Sequence, residues 1–284
     1  MTFLLKNLRL TFRCARVVLW PAIFLNVGII TLCDTVASFH QAILAAFSLC
    51  CVAAYGFLIN DCKDIAVDRI NHSNRLENAA DNELAFIRLA SIVFLGTSFI
   101  LSTELGWRGF VCIGIISLGL TAYTFYARQK LFFATALAAI LASTPLWIPS
   151  LIFNSQLTIS QIGIVVSAAL LLMGREILFD AADFRGDSHG KRRTFATVFD
   201  QRFALNLSIT LNVLGAVLLL LLLAYRQQPS LRLLAWVGVI LFSWLILPPI
   251  LKLKNNPASA AQLETFIQRS RLAMLLLPVF WLSF

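Results

Sequence analysis

Long runs of apolar residues alternate with short polar connections along almost the whole chain. A transmembrane helix needs about 20 mostly apolar residues, and nine segments are candidates for such a helix. They are Val17–Cys33, Gln41–Ile59, Leu84–Leu101, Gly109–Tyr126, Leu131–Phe153, Gln161–Phe179, Phe203–Tyr225, Leu231–Leu251 and Leu272–Phe284. Glycine and proline inside several of them predict local breaks rather than the loss of a span. The pattern predicts an all-α, polytopic membrane protein with about nine transmembrane helices around a central cavity.

The composition agrees with this interpretation. Of the 284 residues, 59% are hydrophobic and only 13% are charged, whereas a soluble domain is nearer to about 25% charged. The length leaves no room for a large soluble domain beside the spans, so we treat residues 1–284 as a single domain. The six cysteines form no C-x-x-C pair, so neither a zinc site nor a disulfide framework is expected.

The net charge of +9 is large enough to suggest a nucleic-acid partner, but the positions of the basic residues indicate a membrane. If the N-terminus lies in the cytosol, all but three of the 23 lysine and arginine residues fall on the cytosolic side of the nine spans. The exceptions are Arg108, Arg226 and Arg232. This positive-inside bias predicts an integral, multi-pass protein with its C-terminus outside and no nucleic-acid partner. In a bacterium the membrane would be the inner one.

Two segments carry three aspartates each at the spacing D-x-x-D-x-x-x-D. The first acidic row is Asp61, Asp64 and Asp68, and the second acidic row is Asp180, Asp183 and Asp187. On an α-helix, positions i, i+3 and i+7 lie on one face, so each segment is predicted to present three carboxylates together. The rows follow the second and the sixth predicted spans. Both are therefore predicted on the cytosolic side.

Acidic residues at the end of a span need a counter-charge, because an ionised group inside a bilayer costs about 2.5–3.5 kcal/mol on insertion scales. Magnesium binds carboxylate oxygens and completes its shell with water and phosphate oxygens, and such a metal makes diphosphate a better leaving group. The polar stretches after the two rows, residues 71–82 and 188–193, are predicted to cap the cavity from the cytosol. The alternative is that the carboxylates simply pair with nearby basic side chains at the membrane edge.

Several motifs around the rows resemble those of the UbiA superfamily of intramembrane prenyltransferases. The similar segments are Asn60 to Asp68, Tyr123-Thr124-Phe125-Tyr126-Ala127-Arg128, Arg175 to Asp187, and Gly190-Lys191-Arg192-Arg193-Thr194. Many members of that family carry Arg-Pro-Leu after the first motif, whereas this chain has Asn74-Arg75-Leu76-Glu77 without the proline. The resemblance implies a fold of nine helices and an enzyme that transfers a prenyl group with the help of Mg²⁺.

The resemblance also implies roles for individual residues. Magnesium would be held by Asp61, Asp64, Asp68, Asp180, Asp183 and Asp187. The diphosphate of a prenyl diphosphate would be bound by Asn60, Arg75, Arg128, Lys130 and Lys191. Tyr123 or Tyr126 would face the allylic carbocation. Asp183 or Asp187 would take the proton of the acceptor, which would be an aromatic compound or a glycerol-phosphate lipid.

Two other functions remain open at this point. UbiA-like terpene cyclases use the same metal chemistry without a separate acceptor, and the missing proline beside Arg75 gives that alternative some support. An ion-coupled transporter would also keep aspartates in membrane helices, although transporter carboxylates usually lie near the midplane rather than at the ends of spans. Products formed from a prenyl diphosphate, with and without an acceptor, would separate these functions.

Overall fold

The computed structural model describes residues 2–34, 37–71, 76, 79–127 and 130–225, together with isolated positions between 236 and 269. Its helices are α1 Thr2–Cys14, α2 Trp20–Asp34, α3 Phe39–Asn71, α4 Asp81–Thr103, α5 Gly106–Phe125, α6 Leu131–Ile152, α7 Ile159–Ala182, α8 Phe184–His189, α9 Phe195–Val198 and α10 Gln201–Tyr225. A 3-10 turn, Val17–Leu19, precedes α2. These ranges contain no β-strand, which confirms the prediction of an all-α protein.

Six of these helices are long and apolar enough to cross a membrane, namely α3, α4, α5, α6, α7 and α10. The bent pair α1 and α2 would make a seventh span if the two helices count as one. The last two predicted spans, Leu231–Leu251 and Leu272–Phe284, fall largely outside the described residues, although the positions described between 236 and 252 are helical. A total of about nine spans therefore stays a prediction.

Helix α1 is amphipathic, and it meets α2 at a bend. The side chain of Asn7 on one face of α1 is buried against the bundle, whereas that of Phe12 on another face is 49% exposed. Lys6 pairs with Glu83 at the start of α4, with 2.5 Å between Nζ and Oε1. Arg16 adopts a left-handed conformation with φ of 51°, and the two helical segments differ in direction by 47°. The bend leaves the Arg16 side chain within reach of Asp61 on α3.

Helix α3 is the longest element, with 33 residues. At a rise of about 1.5 Å per residue it is about 50 Å long, which exceeds the hydrocarbon core of about 30 Å. The predicted span ended at Ile59 because the apolar run ends there, but the helix continues to Asn71. The last part of one uninterrupted helix therefore presents the first acidic row.

The second acidic row, unlike the first, does not lie on one continuous helix. Helix α7 ends at Ala182, Asp183 has φ of −86° and ψ of 9°, and α8 begins at Phe184. The prediction of a single helical face is therefore wrong for this row. The break has a physical reason, since it allows Phe184 to pack against the hydrophobic cluster between α7 and α10. Helix α8 then packs on α3 and carries Asp187 back towards the first acidic row.

Helices α7 and α10 approach each other closely because small residues lie at their interface. The hydroxyl of Ser208 donates to the carbonyl oxygen of Gly174 at 2.7 Å, and the hydroxyl of Ser167 donates to that of Gly215 at 2.5 Å. Small residues and interhelical hydrogen bonds hold helices together in a bilayer, where the hydrophobic effect gives no advantage. This interface supports the end of α7, from which the second acidic row begins.

A leucine at Gly174 should disrupt this interface. A Cβ atom at Gly174 would lie 2.3 Å from Nδ2 of Asn212 and 3.0 Å from the backbone oxygen of Ser208. Overpacking of this kind usually costs about 1–3 kcal/mol, so the Gly174→Leu variant should melt several degrees below wild type in detergent. Gly96→Leu is the control, because nothing lies within 4 Å of a Cβ at that position. Equal melting temperatures for the two variants would contradict the packing described.

Candidate active site

A cavity of about 500 Å³ lies between helices α2, α3, α5, α6 and α7. One end of the cavity is polar and is lined by residues of both acidic rows, namely Asp61, Asp64, Asp180, Asp183 and Asp187. Its walls elsewhere are mainly apolar and include Leu49, Ile116, Leu120, Leu146 and Leu172. Charged groups at one end and hydrocarbon walls beyond them suit a ligand with a polar head and an apolar tail.

The first acidic row is buried at the polar end. Asp61 is 5% exposed and Asp64 is 4% exposed. The amide nitrogen of Asn60 donates to Oδ2 of Asp64 at 3.1 Å, and Nη2 of Arg16 lies 3.5 Å from Oδ1 of Asp61. The guanidinium of Arg16 also stacks over the ring of Phe57, with 4.3 Å to the ring centroid. The backbone of Asp68 belongs to α3, but its side chain lies outside the described residues.

Arg192 joins the two acidic rows. Its Nη2 atom donates to Asp64 of α3, and its Nη1 atom donates to Oδ1 of Asp187 at 3.3 Å. Asp187 is only 3% exposed. A planar guanidinium can bind two carboxylates at once, which the single ammonium group of lysine does less well. Arg192 therefore connects Asp187 to Asp64, which lies 128 positions before Arg192 in the sequence.

A tight turn after α8 brings Arg192 to this position. Lys191 has a positive φ of 52°, and the backbone N–H of Arg192 donates to the carbonyl oxygen of Asp187 at 2.9 Å. This 6→1 hydrogen bond after a left-handed residue is the Schellman arrangement, in which glycine is the usual left-handed residue. The turn reverses the chain after Lys191, so Arg192 rather than Lys191 contacts the acidic rows.

The arrangement suits a divalent cation whose ligands include phosphate oxygens as well as carboxylates. Within the described ranges, no three carboxylate, histidine or cysteine side chains are close enough to hold a metal by themselves. Magnesium, however, usually takes only one or two carboxylates and fills its shell with water and phosphate oxygens. The buried side-chain oxygen of Asn60 has no hydrogen-bond partner in this part of the chain. It is a further hard oxygen atom beside the carboxylates of Asp61 and Asp64.

None of the four cationic residues predicted to bind diphosphate is seen in the lining of the cavity within the described residues. Lys130 and Lys191 are exposed and do not line the cavity. Arg75 and Arg128 lie outside the described residues. The cavity is instead lined by four other arginines, namely Arg16, Arg175, Arg192 and Arg193. Two of these arginines, Arg192 and Arg193, belong to the motif Gly190-Lys191-Arg192-Arg193. The spacing of the motif does not predict the backbone turn that turns Arg192 rather than Lys191 towards the cavity.

The two candidate tyrosines differ in position. Tyr123 is partly buried and lines the cavity, whereas Tyr126 is 73% exposed and is not part of the lining. Two phenylalanines that the sequence did not single out, Phe57 and Phe179, also line the cavity near the aspartates. Aromatic rings attract cations by about 0.5–2 kcal/mol. The polar end therefore combines anionic groups, guanidinium groups and aromatic rings.

The sequence is similar to that of known prenyltransferases. The sequence profile of the UbiA prenyltransferase family matches residues 18–270. A digeranylgeranylglyceryl phosphate synthase of Methanosphaera stadtmanae is 24% identical over 190 residues, which are 66% of this chain and 68% of that protein. A protein of the same name from Metallosphaera sedula is 28% identical over 158 residues, which are 55% of this chain and only 56% of the relative.

Solved structures share the fold at low sequence identity. A UbiA homologue from Archaeoglobus fulgidus bound to GPP and Mg²⁺ has a TM-score of 0.68 and 17% identity, and the match covers 96% of this chain and 99% of that one. The apo structure of a UbiA homologue from Aeropyrum pernix K1 has a TM-score of 0.69 and 14% identity, with 93% and 95% covered. The profile match over most of the sequence shows that this integral membrane protein belongs to the UbiA prenyltransferase family.

Proposed function

We propose that this enzyme transfers a prenyl group from a prenyl diphosphate to a separate acceptor, with Mg²⁺ as its cofactor. The observation that carries the proposal is the pairing of Asp64 and Asp187 through Arg192 at the polar end of a cavity whose other walls are mainly apolar. In the proposed complex the two acidic rows lie around a single diphosphate group. The apolar walls hold the prenyl tail.

The dimensions of the cavity support a prenyl donor. Leu49 and Asp64 both line it and both belong to α3, so the lining extends over about 22 Å along that helix. Small residues on facing helices, among them Ala53, Gly56, Ala138 and Ala142, leave room between the helices. An extended chain of several isoprene units fits this space.

The diphosphate is proposed to bind through metal and arginine together. Each bound magnesium ion would take one or two of its ligands from Asp61, Asp64, Asp180, Asp183 and Asp187, with Asp68 as a further candidate. The metal would neutralise the charge that develops on the departing diphosphate. Arg192 and Arg193 are placed to donate hydrogen bonds to diphosphate oxygens at the same end of the cavity. Preorganised charges in a site of low dielectric need little rearrangement during the reaction, which is why they stabilise such a leaving group well.

Aromatic side chains beside the aspartates have a place in the same reaction. The allylic carbon acquires positive charge as its bond to the diphosphate oxygen breaks. Tyr123 and Phe57 line the cavity near the carboxylates, and their rings attract a cation that forms there. Water would capture the same cation, so the apolar walls also protect it from hydrolysis.

The names of the relatives favour a glycerol-phosphate acceptor over an aromatic one. The named product, digeranylgeranylglyceryl phosphate, contains two geranylgeranyl groups on glyceryl phosphate, so the corresponding donor and acceptor are geranylgeranyl diphosphate and geranylgeranylglyceryl phosphate. We also propose that the N-terminus and the acidic end of the bundle face the cytosol, because the positive-inside bias of the sequence favours that orientation.

A product analysis with purified enzyme in lipid tests this proposal. Geranyl and geranylgeranyl diphosphate are each supplied with Mg²⁺, without an acceptor, with geranylgeranylglyceryl phosphate, or with an aromatic acid. We expect prenylated acceptor and diphosphate in equal amounts only when an acceptor is present. A terpene hydrocarbon or alcohol formed from the donor alone would instead identify a cyclase.

Loss of one carboxylate from either row should abolish turnover. The Asp64→Asn and Asp183→Asn variants keep the size of the side chain but lose the charge that holds the metal, and we expect turnover to fall by about 100-fold or more. Asp81→Asn is the control, because Asp81 is exposed at the start of α4 and does not line the cavity. Turnover near the wild-type rate in both row variants would rule out the metal assignment.

Removal of divalent cations should stop the reaction reversibly. Dialysis against EDTA is expected to eliminate turnover, and added Mg²⁺ is expected to restore it, since the carboxylates at the polar end need a cation before they can accept a diphosphate. The measurement is diphosphate release before and after each step. Activity that survives thorough chelation would show that the arginines alone carry the reaction.

The neighbouring residues Lys191 and Arg192 should respond differently to substitution. Arg192→Gln removes the bridge between Asp64 and Asp187, so turnover should fall by about 10²- to 10³-fold. Lys191→Gly should leave turnover close to wild type, and it should stabilise the protein by about 1 kcal/mol because glycine adopts a positive φ without strain. If Lys191→Gly abolished binding of the prenyl diphosphate, Lys191 would be the diphosphate ligand that the sequence predicted.

A further inference from the structure

An ion pair within the membrane-spanning part of α7 has no role in the chemistry described above. Nη2 of Arg175 lies 2.8 Å from Oε1 of Glu176, and the two side chains are only 17% and 23% exposed. Both residues lie inside the span Ile159–Ala182, and both line the cavity. Ionisable groups within a span are costly and usually mark a functional site.

Glu176 continues the second acidic row towards the membrane interior. Glu176, Asp180 and Asp183 stand at positions i, i+4 and i+7, so they share one face of α7. Glu176 precedes Asp180 by four positions on the helix, which places Glu176 about 6 Å deeper. The allylic carbon of a prenyl diphosphate is bonded to the diphosphate oxygen on the side of the tail. With the diphosphate at the aspartates, the allylic carbon therefore lies near the level of Glu176.

We infer that Glu176 is the base that accepts the proton of the acceptor during prenyl transfer, an assignment that rests on the proposed function. A lone pair of the acceptor hydroxyl oxygen forms a bond to the allylic carbon. The bond from that carbon to the diphosphate oxygen breaks, and its electron pair leaves with the diphosphate. The hydroxyl proton passes to the carboxylate of Glu176, which later releases it to water at the mouth of the cavity.

The contacts of Glu176 suit this role better than those of the aspartates. Its Oε1 atom accepts from Arg175, and within the described part of the chain no other contact is seen for this carboxylate, which leaves Oε2 for a substrate hydroxyl. Asp187 is already bound to Arg192, and both Asp183 and Asp187 are proposed metal ligands. A carboxylate that binds a metal is a weaker base than a free one because the metal charge opposes protonation.

Arg175 has a positioning role in this arrangement. Its guanidinium fixes one oxygen of Glu176 and lies 5.8 Å from the ring centroid of Phe179. The guanidinium supplies the counter-charge for this carboxylate inside the span. A simpler explanation is that Glu176 only neutralises Arg175 inside the bilayer, and the two explanations predict different behaviour when both charges are removed.

The test uses four variants in lipid, one of which, Glu176→Ala, serves a rescue measurement. Glu176→Gln keeps an oxygen that accepts from Arg175 but cannot take a proton. Arg175→Met combined with Glu176→Gln removes both charges of this ion pair together, so neither partner of the pair is left as a lone buried charge. Glu104→Gln is the matched control, because Glu104 is exposed at the end of α4 and does not line the cavity. Single-turnover transfer from geranylgeranyl diphosphate to geranylgeranylglyceryl phosphate and Mg²⁺-dependent binding of the donor are measured separately.

We expect both the single and the double variant to bind the donor as wild type does and to transfer about 10²- to 10⁴-fold more slowly, which is the usual contribution of a general base. Glu104→Gln should transfer at the wild-type rate. In Glu176→Ala, added formate should restore part of the rate, because a small carboxylate can occupy the space and take the proton. Rescue of this kind is not expected for a residue with only a structural role.

Three results would overturn the assignment. The first is transfer near the wild-type rate in Glu176→Gln. The second is recovery of transfer in the double variant, which would show that Glu176 only balances the charge of Arg175. The third is loss of donor binding in parallel with transfer, which would place Glu176 in the diphosphate site. Failure of the proposed function itself would be seen in the wild-type enzyme, which would then bind no prenyl diphosphate or transfer no prenyl group.

Discussion

The structure depends on the attraction between one arginine and two buried carboxylates. Arg192 contacts Asp64 on α3 and Asp187 on α8, so it holds together two segments that are distant in the sequence. Carboxylates that are 3–5% exposed would be strongly destabilising without such a partner. The bend at Asp183 and the left-handed turn at Lys191 are the backbone features that make the contact possible. The same cluster of charges is the proposed site of the metal and the diphosphate.

The apolar part of the bundle determines which ligands can bind at this charged end. Because α3 is long, the first acidic row lies beyond its continuous apolar run. The part of α3 that precedes this row forms a wall of the cavity. Close contact between α7 and α10 supports the other wall through Ser208 and Gly174. A diphosphate bound at the charged end therefore has its hydrocarbon tail among apolar side chains. In the proposed reaction, the donor ionises where the walls keep water away.

Much of this arrangement was predictable from the sequence, and its limits have physical causes. Apolar runs locate α3 to α7 and α10 to within a few residues at most ends, because a span must be apolar over about 20 residues. Helical spacing placed Asp61 and Asp64 together correctly. The second row does not follow one unbroken helix, although Asp187 lines the same cavity as Asp180 and Asp183. Spacing could not choose Arg192 over Lys191, because a backbone turn makes that choice. Glu176 belongs to the segment that resembles the family, but the sequence assigned it no role, and only the cavity lining shows that it faces inward.

The most direct test of the central claim is electron–nuclear double resonance on enzyme with Mn²⁺ in place of Mg²⁺ and a non-hydrolysable prenyl diphosphate. If both acidic rows hold the metal against one diphosphate, the spectrum will show phosphorus couplings in wild type. Those couplings will disappear when a carboxylate of either row is neutralised. Bound Mn²⁺ without phosphorus couplings, or couplings that persist after either row is changed, would contradict the account.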